Sequence, residues 1–263
     1  MPSTDIVKVP ACDVEIKVTR GGAGAPILFL PDASVGAAWL PFHDRLAVRN
    51  AVIVPEHPGY GGGDAPPWLD RVADLANFYL DLLDQLDLPP VHLVGASLGG
   101  WIAAELATRN TSRLATLTLI DPWGLRVAGT SGIDPFVTGD EQALRDLFAD
   151  PKAADGVVAR MLAPEAEDAL LKGKTVTAKL AWQPRLHDPH LVKWLHRIDV
   201  PTQIVWGEAD RVLPVAYGAA WRRAIIGARL VIVAGAGHLP HIEKPGETAG
   251  AVTDFIAQPR AAT

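Results

Sequence analysis

The chain has 263 residues, of which 49% are hydrophobic and 21% charged, so it can bury one sizeable core and is neither disordered nor a coiled coil. The 24 glycines and 22 prolines speak for many tight connections and against a helix bundle. A net charge of -6 argues against nucleic acid or an anionic membrane as the main partner.

The opening stretch MPSTDIVKVP lacks the basic flank and apolar run of a signal peptide. No run approaches the ~18 apolar residues of a membrane span, so no membrane association and a cytoplasmic setting are expected. Residues 5–9 and 13–19 mix apolar and polar side chains and read as a hairpin of one-sided strands. The single cysteine, Cys12, excludes an intramolecular disulfide and a cysteine-based metal site. Short apolar runs then follow at 27–30, 51–54, 91–94, 116–120, 203–206 and 230–233, as in strands of a parallel sheet covered on both faces. Helices are predicted between them. Residues 68–86 place Val72, Leu75, Phe78, Leu82 and Leu86 on one face. Further helices are expected at 98–108, 215–225 and 246–257. The alternation predicts an α/β fold with a mostly parallel, eight-stranded sheet and helices on both faces. About 80 residues between the strands at 116–120 and 203–206 carry no strand pattern but four helical stretches, at 140–149, 152–162, 165–181 and 189–197. They read as a helical cap, residues 123–198, inserted into a core made of 1–122 and 199–263.

The strongest chemical signal is VHLVGASLGGW at 91–101. A strand runs into Gly95-Ala96-Ser97-Leu98-Gly99 and then a helix, the setting a G-x-S-x-G nucleophile elbow requires. The helix also points its positive end at Ser97. A serine needs a base to become a good nucleophile. His238, in GAGHLPH after the last strand, can reach over the sheet edge. His241 is its rival, whereas His92 lies inside a strand, and His43, His57, His187, His190 and His196 have no strand-end setting tied to Ser97. Asp210, in WGEADRVLP after another strand end, is the candidate acid that orients the imidazole, with Asp121 as the alternative.

Together PILFLPDAS, HPGYGGGD, GASLGG, LIDPWG, WGEADRVLP and GAGHLPH span residues 27–243 and resemble the α/β-hydrolase family. The order Ser97, Asp210, His238 is that family's nucleophile–acid–base order. One departure is visible. Where family members carry His-Gly, this chain has Pro31-Asp32, so the aspartate is expected to adopt the glycine's place, if need be with left-handed geometry, and to point away from the site or be held by a loop amide. The resemblance implies an oxyanion hole formed by the backbone N–H groups of Ala33 and Leu98, each worth roughly 3 kcal/mol in a transition state. Candidate pocket residues are Asp32, Ser34, Trp39, Trp101, Trp123, Phe136 and Trp182, with Leu162 and Trp194 as further contributors from the inserted region. Eight tryptophans suit a dry, apolar pocket.

No phosphate-binding glycine loop, H-E-x-x-H or paired cysteines exist, so no cofactor and no metal are expected. The absence of a basic cluster argues against phosphorylated substrates. The expected function is hydrolysis of a small, largely apolar carboxylic ester through an acyl-enzyme. Alternatives are carbon–carbon bond cleavage of a vinylogous diketone, a lactonase, or a hydrolase-fold protein that binds a small molecule without turnover. By resemblance, dehalogenases and epoxide hydrolases use aspartate where Ser97 stands. The fold is compatible with a monomer or a homodimer.

Overall fold

The computed structural model describes residues 1–258; residues 259–263 of the expected core segment lie outside the described residues. Eight strands form one sheet: β1 (Ser3–Val9), β2 (Val14–Gly21), β3 (Ala25–Leu30), β4 (Asn50–Pro55), β5 (Val91–Ala96), β6 (Leu114–Ile120), β7 (Thr202–Gly207) and β8 (Arg229–Val233). Their spatial order is β1-β2-β4-β3-β5-β6-β7-β8. The β1–β2 hairpin and the β2–β4 pair are antiparallel, and every other neighbour is parallel. The fold class read from the sequence therefore holds, with each strand displaced by at most a few residues.

Nine α-helices connect the strands: α1 (Pro41–Leu46), α2 (Val72–Leu86), α3 (Leu98–Arg109), α4 (Asp140–Asp146), α5 (Asp155–Met161), α6 (Glu167–Ala181), α7 (Ala216–Ala224), α8 (Pro240–Glu243) and α9 (Pro245–Ile256), counted among the described residues. Alternation along the strands divides the core into two layers. Leu28, Leu30, Ile53 and Leu93 face α2 and α3, while Ile27, Phe29, Val52, Val54 and Val94 face α1 and α9. Each fully buried Leu, Ile or Phe contributes about 1.5–3 kcal/mol by leaving water. None of the described helices is long and apolar enough to cross a membrane.

Several expected boundaries shift for local reasons. Helix α2 starts at Val72 rather than 68, because the Asp74 carboxylate accepts from the Asp70 and Arg71 amides and closes the helix start there. The expected helix at 189–197 is instead two 3-10 turns, Leu191–Lys193 and Leu195–Arg197. Before them the Asp188 carboxylate takes the His190 amide at 2.7 Å, a bond that favours a turn over a helix. The stretches 152–162 and 165–181 each open with a proline-led 3-10 turn before becoming α5 and α6. Helix α1 is too short for periodicity to predict.

Between β6 and β7 the described residues contain no strand, only helices and turns. Leu144, Leu147, Phe148, Val157, Val158, Val176 and Leu180 from this region join the α2–α3 side of the core.

His43 on α1 is buried among Phe29 and Phe42, with its Nδ1 accepting the Leu40 amide at 3.0 Å. Burial pushes its pKa down to about 4, and that of buried His57 also to about 4. The unfolded chain binds protons on both below its ordinary value near 6.5, and the native state does not, so native stability falls as pH drops from 6.5 to about 4. Urea unfolding between these pH values will show a steadily falling midpoint. A His43→Asn variant, less stable overall, will show a shallower fall.

Candidate active site

Ser97 closes β5 and caps α3 with φ 53 and ψ -114. Such a conformation costs about 1–3 kcal/mol in a non-glycine residue. Its own peptide groups hold it there. The Ser97 N–H donates to the Ile120 carbonyl at 2.9 Å, and its carbonyl accepts from the Trp101 and Trp123 amides, each at 3.1 Å. The flanking glycines are required by contact. A Cβ on Gly95 would collide with the Gly99 carbonyl, and one on Gly99 with the Leu30 carbonyl.

Asp210 follows β7, and its Oδ1 accepts from the Val212 and Leu213 amides at 2.8 and 2.9 Å. That leaves Oδ2 to accept from His238 Nδ1–H at 2.7 Å. With the proton on Nδ1, the His238 Nε2 lone pair faces the Ser97 hydroxyl, which donates to it at 2.9 Å. Ser97, Asp210 and His238, taken from three different strand ends, thus form one hydrogen-bonded chain, and all three are buried. The Trp123 indole N–H donates to the same Nε2 at 3.2 Å and competes with the serine for it.

The rival residues sit elsewhere. The backbone N–H of Asp121 donates to Val205, and its Oδ1 accepts from the Gly207 amide at 2.9 Å, stitching β6 to β7. Its buried Oδ2 has no conventional partner and lies beside Asp210. Burial, and then the neighbouring Asp210 charge, raise the Asp121 pKa well above the ordinary carboxylate range and favour its protonated form. Ligand-type atoms of Asp121, Asp210 and His238 come within 4.8 Å of one another, the one grouping among the described residues that resembles a metal cluster. Its Asp210 and His238 atoms are already committed to hydrogen bonds. His241 is buried with its Nε2 3.9 Å from Asp32 Oδ2, and neither of its ring nitrogens has a hydrogen-bond partner among the described residues, Ser97 included. His92 pairs with Thr116 in the sheet.

Asp32 behaves as the departure from His-Gly requires, though not by left-handed backbone. It is absent from the positive-φ residues; Gly36, four positions later, takes φ 70 instead. The Asp32 Oδ1 accepts from the Ser34 and Val35 amides, both at 2.7 Å, so the carboxylate ties the loop to itself. The Ala33 N–H has no acceptor among the described residues, and the Leu98 N–H is the orphaned first amide of α3.

A cavity of about 480 Å³ adjoins this chain of residues through Trp123, the wall residue whose indole N–H reaches His238, while Ser97, Asp210 and His238 are not themselves wall residues. Its walls come from Pro31 and residues 33–38, from Glu56, His57, Tyr60 and Gly61, from Trp123 and from the helical segment 135–178. Ala33, Ser34, Trp123 and Phe136 line it as expected. Asp32, Trp39, Trp101 and Trp182 do not. Trp101 is core, packed under Gly124 with its N–H on Glu105. Trp39 lies over Gly21 and donates to Asp44 at 2.7 Å. Trp182 is half exposed, with the Arg185 guanidinium 3.9 Å above its ring. Leu162 and Trp194 are also exposed. The cavity wall includes a hydrogen bond at 2.9 Å between Tyr60 and Thr177 and the Lys174–Asp140 ion pair, none of which periodicity could reveal. Glu243 was equally unforeseen. Its carboxylate accepts from Gly237 at 2.7 Å, Ala149 at 3.1 Å and Asp150 at 3.0 Å, pinning the His238 loop to the helical segment.

Comparison with known proteins follows the same lines. A family model described as the alpha/beta hydrolase family matches residues 27–251. An uncharacterised protein of Mycobacterium tuberculosis is 29% identical over 264 aligned residues, covering 89% of this chain and 76% of that one. The 2-hydroxymuconate semialdehyde hydrolase of a Pseudomonas species is 25% identical, covering 97% of this chain and 95% of its own. Among solved structures, a membrane phospholipase A described as a bacterial virulence factor aligns with a TM-score of 0.84 at 27% identity, over 97% of this chain and 86% of the other. Sheet order, elbow and family match agree: this chain is a hydrolase and belongs to the alpha/beta hydrolase family.

Proposed function

We propose that the protein hydrolyses small, largely apolar carboxylic esters through an acyl-enzyme on Ser97. The observation that carries this reading is the continuous Ser97–His238–Asp210 hydrogen-bonded chain beside a mostly apolar cavity. In this reading His238 Nε2 takes the Ser97 proton as the oxygen attacks the ester carbonyl. Asp210 orients and stabilises the imidazolium that results. The free amides of Ala33 and Leu98 receive the oxyanion. His238 then protonates the leaving alcohol, and a water deprotonated by the same histidine releases the acid. As His238 gains its Nε2 proton it loses the Trp123 hydrogen bond, because two N–H donors then face each other. Residues 123–198 act as the cap that closes the cavity and keeps it dry.

Cavity charge supports an ester over a substrate carrying its own carboxylate. Among the described residues Lys174 is the one cation on the wall, and Asp140 already neutralises it. The relative that cleaves 2-hydroxymuconate semialdehyde supports a second reading, carbon–carbon hydrolysis by the same serine. Turnover of a vinylogous diketone with none of simple esters would select it.

Short-chain aryl esters test the first reading. Ser97→Ala is expected to lower kcat by at least about 10³-fold and to abolish labelling by a fluorophosphonate probe; parental rates in that variant would sink the proposal. The two carboxyls separate in a second measurement. Asp210→Asn, which presents the wrong donor to Nδ1, is expected to lose about 10³–10⁴-fold in kcat. Asp121→Asn, a neutral replacement for a neutral acid, is expected to stay near the parent. Loss of equal size in both variants would contradict the assignment of Asp210 as the orienting acid.

A further inference from the structure

His43, His57 and His241 are buried imidazoles that the proposed mechanism does not use, and of these three His57 lines the cavity. It follows β4 and lines the cavity wall beside Pro31 and Ala33. Both ring nitrogens are engaged. The Tyr79 hydroxyl lies 2.6 Å from Nδ1, and the Pro31 carbonyl oxygen lies 2.9 Å from Nε2. A carbonyl can only accept, so Nε2 carries the proton and donates to Pro31. Nδ1 then accepts from the Tyr79 O–H. Burial, which pushes the His57 pKa down to about 4, keeps the ring in this neutral form.

The Pro31 carbonyl is a sensitive place to hold. The pyrrolidine ring already fixes φ of residue 31, so the hydrogen bond from His57 sets the remaining torsion. On the far side, the Asp32 carboxylate binds the Ser34 and Val35 amides. Between these two ties lies the Asp32–Ala33 peptide, whose N–H is left without a protein acceptor among the described residues. The segment also touches the elbow, since the Leu30 and Pro31 carbonyls crowd against Gly99. We infer that His57 is a positioning residue for the oxyanion hole, holding the Pro31 carbonyl so that the Ala33 N–H is aimed at the tetrahedral oxygen. Where the family pattern has His-Gly, this chain has Pro31, which carries no side-chain donor, and the tie comes from a histidine on the neighbouring strand end. The inference rests on the serine-hydrolase reading of the site.

Two substitutions isolate the Pro31 contact. In His57→Gln the amide nitrogen extends far enough to replace Nε2 and donate to Pro31. In His57→Asn the shorter side chain can still meet Tyr79 but falls short of Pro31. Steady-state kinetics on a short-chain aryl ester are read together with inhibition by an aryl boronic acid, which forms a tetrahedral adduct on a serine. His57→Asn is expected to lower kcat about tenfold to a hundredfold with little change in KM, and to weaken boronate inhibition by a similar factor. His57→Gln is expected to recover most of both. A purely structural role would instead lower thermal stability in both variants without separating boronate affinity from KM. The proposal is overturned if His57→Asn keeps parental kcat and boronate affinity, or if Gln and Asn variants are equally impaired. Should the Asn variant not fold, Tyr79→Phe with His57→Gln as a double variant takes its place: retained kcat there supports the Pro31 tie, and a full loss contradicts it. Full ester activity in Ser97→Ala overturns the serine reading and this proposal with it, whereas an unimpaired His57→Asn beside an inactive Ser97→Ala overturns this proposal alone.

Discussion

Ser97 stands in a backbone conformation that an L-residue seldom adopts, and most of the site geometry depends on keeping it there. The strand arrives extended and the helix must begin at once, so the side chain between them is thrown above the sheet edge. Three backbone hydrogen bonds, to Ile120 and from Trp101 and Trp123, stabilise the turn by about 0.5–1.5 kcal/mol each, enough to offset its strain. The same bonds do a second job. The Trp123 amide on the Ser97 carbonyl ties the entry of the helical segment to the nucleophile, and the Trp123 indole then reaches His238. Strain at one residue, the start of α3 and one cavity wall are therefore a single mechanical unit.

Parallel pairing carries that unit across the molecule. In a parallel sheet the C-terminal ends of neighbouring strands lie side by side, and β5, β6, β7 and β8 are consecutive neighbours. Ser97, Asp121, Asp210 and His238 each follow one of these ends. Residues far apart in the chain thus converge without any long side chain having to span the gap. Fine placement comes from the loops. Asp210 is fixed by two amides of its own turn, and the His238 loop is held by Glu243, which joins Gly237 to Ala149 and Asp150.

What could be read from the sequence follows from these causes. Strands were legible because burial on both faces leaves short runs such as ILFL and VHLV, and the elbow because glycines at 95 and 99 are dictated by backbone contact. Ser97, Asp210 and His238 were legible because each sits a fixed, short distance past a strand end. The tryptophans were not. A large aromatic side chain satisfies a core, a surface stack or a pocket equally well, and only the packing of Gly124 on Trp101, or of Arg185 on Trp182, decides which. The role of His57 is not legible in the sequence, because its partners, Pro31 and Tyr79, lie 26 and 22 residues away and no local pattern marks a bond of that kind. The helix expected at 189–197 failed because a single carboxylate, Asp188, offered the backbone a competing bond.

The site also solves an electrostatic problem that the sequence poses openly. It buries three carboxyls, Asp32, Asp121 and Asp210, close to a place where negative charge is to develop. Three bare carboxylates there would oppose an oxyanion and one another. Each is handled differently. Asp210 is covered by two amide donors and the His238 Nδ1–H, so its charge faces the imidazole that must become positive. Asp32 turns its charge into the Ser34 and Val35 amides, although burial still raises its pKa. Asp121 has only the Gly207 amide, and beside Asp210 its protonated form is favoured. Of Asp32 and Asp121, the carboxyl with fewer donors is the one whose pKa is driven further up. A buried acid cluster of this sort is tolerable because backbone amides, which the strand ends and the turns after them already leave free, are aimed at Asp32 and Asp210.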